Sequence, residues 1–79
     1  MNRCAQLSRM FYQYQSIELI RDINPVLKAG MPGVIIEIWD ENHYEVEFLD
    51  EGGFNYEYIG EAIFTLKAAD IAPIKQTYM

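Results

Sequence analysis

Between Tyr44 and Phe48, apolar and charged residues alternate without a break: Tyr44-Glu-Val-Glu-Phe48. Period two belongs to a strand, whose successive side chains leave opposite faces. A helix would turn Val46 away from Tyr44 and Phe48, whereas a strand puts all three on one side and both glutamates on the other. The register is not free either. A slip of one residue would carry Glu45 and Glu47 into the core, where an unpaired charge is very costly. This segment therefore demands a sheet with one covered face and one face in water.

The rest of the chain can be read around that sheet. Residues 16–21 form a first strand with Ile17 and Leu19 on one face. Asn24-Pro25, Gly30 and Pro32-Gly33 mark a loop over residues 22–30 with tight turns behind it. Val34, Ile36 and Ile38 alternate with Ile35, Glu37 and Trp39, which predicts a second strand with the first set inward and Trp39 outside or at the rim. Asp40-Glu41-Asn42-His43 reads as a four-residue hairpin turn, and Asp50-Glu51-Gly52-Gly53 as the next turn. Residues 54–66 run longer, with Gly60 as a bulge or bend and with Ala62, Phe64 and Leu66 inward. Residues 67–71 suit a single 3₁₀ turn, and residues 72–74 a short last strand in which Pro73 belongs at an edge or rim. The expected core is Ile17, Leu19, Val34, Ile36, Ile38, Tyr44, Val46, Phe48, Phe64 and Leu66, with Glu37, Glu45 and Glu47 in solvent.

Five short strands in 79 residues predict an all-β fold, a small partly open SH3-like barrel over residues 16–75. An oligonucleotide-binding barrel is the alternative, but that architecture usually needs a longer chain and an interposed helix. Residues 1–15 read as an N-terminal extension, mobile over residues 1–9, and residues 76–79 as a short tail. Met10 begins a plausible chain of its own.

Composition separates function classes. With Cys4 the only cysteine, there is no intrachain disulfide, and neither Cys clusters nor paired histidines suggest a metal site. Six basic residues face twelve acidic ones, for a net charge of -6. Nine of those acids, Glu37, Asp40, Glu41, Glu45, Glu47, Asp50, Glu51, Glu57 and Glu61, fall in residues 37–61, which hold no Lys or Arg. Such a surface disfavours nucleic acid and anionic membranes as partners. The longest aliphatic run, Val34-Ile35-Ile36, is too short for a membrane span or a signal-peptide core. The expectation is a soluble, cytoplasmic domain.

No catalytic residue stands out. His43 is the only histidine and sits in a turn, while Ser8 and Ser16 have no base nearby in sequence. Asp40-Glu41-Asn42-His43 lacks the spacing of a calcium loop. The reading is a non-enzyme with no cofactor and no metal. The aromatic residues say more. Trp39 shares the parity of Glu37, and Tyr56 and Tyr58 flank Glu57. Together with Glu45 and Glu47, these residues form a candidate partner-binding surface; the other reading is that the rings pack over the barrel ends. Phe11, Tyr12 and Tyr14 precede the first strand.

The segments Ala29-Gly30-Met-Pro-Gly33-Val34-Ile-Ile-Glu37, Tyr44-Glu-Val-Glu-Phe48, Phe64-Thr-Leu66 and Ala69-Asp70-Ile71 together resemble the uncharacterised bacterial family grouped as domain of unknown function 4926, common in cyanobacteria. The resemblance runs from about Ile17 to Ile74. Its motifs are structural, and they imply an SH3-like barrel and no activity. The segment over residues 54–61 is longer and more aromatic than that pattern. The expected role is a protein-interaction or accessory module with an unidentified, basic protein partner. The alternative is an antitoxin- or immunity-type protein that neutralises a basic partner. In either case the chain is expected as a monomer or as a weak homodimer paired through residues 54–66.

Overall fold

The computed structural model describes residues 11–74, so the expectations for residues 1–9 and 76–79 lie outside it. Five strands, β1 (Ser16–Leu19), β2 (Pro32–Asp40), β3 (His43–Glu47), β4 (Ile63–Leu66) and β5 (Ile71–Pro73), form one antiparallel sheet in the order β4-β3-β2-β1-β5. A 3₁₀ turn (Ala68–Asp70) precedes β5. The fold is all-β, and the sheet is open, with β4 and β5 as its two edges.

β3 alternates as expected: Tyr44, Val46 and Phe48 are buried, and Glu45 and Glu47 lie on the opposite side, though half-buried rather than fully in solvent. β2 does not. Ile35 is fully buried, Val34 and Ile36 are half-buried, and Ile38 is exposed at 37%. Two irregularities in the β2–β3 ladder cause this. Val34 pairs with Glu47 and Ile35 with Val46; Ile36 is then skipped before Glu37 meets Glu45 and Ile38 meets Tyr44. Trp39 is skipped in turn before Asp40 meets His43. Each extra residue exchanges the two parities, so Ile35 shares the covered side of Val46 while Ile38 follows Tyr44 at the rim. The expected inward set Val34, Ile36 and Ile38 is thus corrected to Gly33 and Ile35, with Ile38 joining that side only beyond the bulge.

Smaller corrections follow from the pairing. The β2–β3 turn has two residues, Glu41 and Asn42, since Asp40 and His43 already pair. β1 stops at Leu19, and β5 runs one residue earlier than expected, which buries Ile71. Phe64 is half-buried, its ring 6.1 Å from that of Phe48.

The core also draws on segments outside the strands. Phe11 is buried with its ring edge-on to Tyr44 at 5.3 Å. Leu27 is fully buried within the β1–β2 loop. That loop is shaped by Asn24, whose Oδ1 accepts from the N–H groups of Val26 and Leu27, and by Asp22, whose Oδ1 accepts from Ala29 N–H. Gly33 supplies room: a Cβ there would stand 2.7 Å from the Phe48 ring. Asp70 ties the 3₁₀ turn down, accepting from Lys67 N–H at 2.9 Å and pairing with Arg21 at 2.8 Å. No helix among the described residues is long and apolar enough to cross a membrane.

Candidate functional site

The water-facing side of β2, β3 and β4 carries its residues in rows, because antiparallel partners stand directly opposite one another. One row is Val34, Glu47 and Ile63; the next is Glu37, Glu45 and Thr65. Glu45 is the hub. Its Oε2 accepts from the Trp39 indole N–H at 2.7 Å and from the Thr65 hydroxyl at 3.0 Å. Trp39 reaches this oxygen because the second bulge of β2 leaves it out of the ladder. Its indole is held at the polar edge, yet the residue is 64% exposed.

Glu37 stands opposite Glu45 across the ladder, a like-charge pair that disfavours the sheet by a few tenths of a kcal/mol or more. The ion pairs of the described residues are Arg21–Asp70, Lys28–Asp22 and His43–Asp40, and none of them reaches Glu37, Glu45 or Glu47. A shallow, mainly apolar hollow of about 190 Å³ lies beside the Glu47 row, lined by Pro32, Gly33, Val34, Glu47 and Leu49 among others.

The turn below Trp39 has its own electrostatics. Asp40 Oδ1 accepts from Asn42 N–H at 2.8 Å, and both Asp40 oxygens lie within 3.0 Å of His43 Nδ1. Stabilised first by that amide and then by the imidazole, the Asp40 carboxyl sits below the usual carboxylate range. His43 is thereby occupied by its own turn. Among the described residues no three His, Cys, Asp or Glu side chains converge to hold a metal ion.

The six residues singled out in the sequence do not form one surface. Trp39, Glu45 and Glu47 share the outer face of the hairpin. Tyr56 is half-buried against the core, with its N–H on the Phe48 carbonyl, and so belongs to the packing of the fold. Tyr58 is half-buried at a tight turn in which it and Glu61 exchange backbone hydrogen bonds; Glu57 beside it is exposed. The two central residues of that turn, Ile59 and Gly60, have φ of 51° and 76°, the arrangement of a primed hairpin turn. It leaves a β-branched residue strained and 80% exposed. Sequence reasoning missed Thr65, although its parity opposite Glu45 is the signal that places it on this face.

The fold and face together define a small all-β protein with an acidic, aromatic outer sheet surface. The model of the family described as Domain of unknown function (DUF4926) matches residues 14–73. The chain belongs to that family, and the match spans every strand of the sheet. No curated protein and no solved structure matches it.

Proposed function

We propose that this chain is a non-catalytic protein-interaction module that takes a basic segment of a partner protein on the outer face of β2, β3 and β4. The carrying observation is Trp39. A large ring that is 64% exposed leaves most of its apolar surface in water, yet its orientation is held by Glu45. Beside it stand two carboxylates, Glu37 and Glu45, opposed across the ladder with no cation among the described residues paired to either. An Arg or Lys of a partner relieves that repulsion and lies over the indole face in a cation–π contact. The strand order, with the 3₁₀ turn before the last strand, fits the SH3-like arrangement read from the sequence, and SH3 domains are peptide binders.

Trp39 is the only tryptophan, so its fluorescence reports directly on this face. Titration with an octapeptide of four Arg and four Val should shift its emission, with an affinity that falls as salt rises. Glu45→Gln should weaken binding several-fold, and Asp22→Asn, in the β1–β2 loop, should leave it unchanged. Equal weakening by both variants, or no emission change with the parent, would refute the reading.

A further inference from the structure

The two edges of the sheet are finished differently. β5 is three residues long and ends in Pro73, which has no N–H to offer. β4 is Ile63-Phe64-Thr65-Leu66, and all four residues pair with β3. Among the described residues no other backbone or side-chain group bonds to the β4 main chain. The strand carries no proline, no lysine, no bulge and no inward charge, so apart from its four-residue length it has none of the devices that usually keep an edge from pairing. Alternate residues of an antiparallel edge turn both N–H and C=O outward, so β4 offers a short template for another strand.

The side chains say which strand fits. The outer face of β4 shows Ile63 and Thr65, and directly behind them stand Glu47 and Glu45 on β3. A strand added to β4 would lie about 4.8 Å beyond it, and so about 9–10 Å from β3. Lys or Arg on that strand, reaching back over Thr65 or Ile63, meets a glutamate extending towards it; a short side chain does not. On the other face, the added strand continues the row of Phe64 and Leu66, where an apolar residue covers the half-buried Phe64.

Resting on the reading above, we infer that the basic segment binds as a sixth strand on the free edge of β4. Lys or Arg then occupy alternate positions facing Glu45 and Glu47, with apolar residues between them. A second copy of this chain is the other occupant such an edge could take, and charge argues against it. Pairing β4 with its own copy brings two sets of Glu45 and Glu47 towards each other, and residues 37–61 hold nine acids and no Lys or Arg to offset them.

The test uses four octapeptides built from four Arg and four Val: an alternating Arg-Val form, a block form with four Arg then four Val, and two versions of the alternating form N-methylated on every second residue, one in each register. Trp39 emission gives the affinities, and amide exchange in ¹⁵N-labelled protein locates the contact. The alternating peptide should bind at least about tenfold more tightly than the block form and should slow exchange of the outward β4 amides. One N-methylated register should lose at least about tenfold, since it removes the donors that face β4, and the other should bind like the parent. Equal binding by all forms would overturn strand addition while leaving the acidic face as the site. Failure of every form to bind would instead sink the underlying reading. A concentration-dependent dimer in sedimentation, with β4 amides protected in the absence of peptide, would assign the edge to a second copy and overturn the inference.

Discussion

The two faces of the β2–β3–β4 hairpin sheet share one backbone and follow opposite rules. On the covered face, Ile35, Tyr44, Val46, Phe48 and Leu66 exclude water almost completely, and Gly33 gives up its side chain so that the Phe48 ring can approach. On the other face, Glu37 opposes Glu45, and Trp39 is held in place while still exposed. The covered face is arranged for stability, since these five side chains replace water with packed neighbours, and only Phe64 and Ile38 at its rim stay partly wet. The outer face keeps a repulsion that a Thr or Gln at either position would remove, and the proposed partner site rests on that cost.

The largest effect should come from Phe48→Ala, which removes a ring with no exposed surface and should cost roughly 3–5 kcal/mol, measured by urea or thermal unfolding. Trp39→Ala removes a larger ring from the outer face and should cost no more than about 1 kcal/mol. Similar losses from the two variants would break the contrast between the faces.

Next comes Gly33→Ala. Its Cβ would meet the Phe48 ring at 2.7 Å, and because that ring is fully buried the strain should cost about 1–3 kcal/mol. In a Phe48→Leu background the same substitution should cost clearly less, and a double-mutant cycle measures the difference. An unchanged cost would place the strain elsewhere than at the ring.

A smaller and opposite change is expected from Glu37→Gln. Relief of the cross-strand repulsion should raise stability by about 0.2–1 kcal/mol while lowering affinity for the Arg-Val peptide. A variant that is both less stable and equally good at binding would show that the outer face serves the fold.

The smallest effect is with pH. Asp22, through the Ala29 amide and then Lys28, and Asp40, through the Asn42 amide and then His43, have carboxyl groups held below their ordinary value. Their contribution is present above the unfolded-state value near pH 4 and is lost as pH falls through the lowered folded values. Both are exposed, so Asp22→Asn and Asp40→Asn should each flatten the acid limb of the pH–stability profile only slightly.

How much of this is legible in the residues depends on the kind of signal. β3 could be read completely, because charged residues at every second position leave a single register without buried glutamates. The presence of the 3₁₀ turn and of β5 is readable too, since residues 67–71 are too short for an α-helix and Pro73 excludes a central strand, but their boundary is not, and Ile71 opens β5 instead of closing the turn. Within the site, Trp39, Glu45 and Glu47 fall together by parity, and Tyr56 does not, because nothing local to residues 54–61 tells which ring folds back on the core.

β2 shows where pattern ends. Val34-Ile35-Ile36 offers an apolar residue at both parities, so no charge penalises either choice until Glu37. The choice is made by contacts distant in sequence: Ile35 against Val46, the Phe48 ring over Gly33, and bulges at Ile36 and Trp39 that let both the buried start of β2 and the hydrogen-bonded indole near its end be accommodated. Phe11 and Leu27 enter the core for the same reason, since a sheet this small leaves uncovered apolar surface that only side chains from outside the strands can cover. Alternation is a local property and survives in the residue order. Which of two equally apolar faces is covered depends on the free energy of the whole packed core, and that exists only once the strands have met.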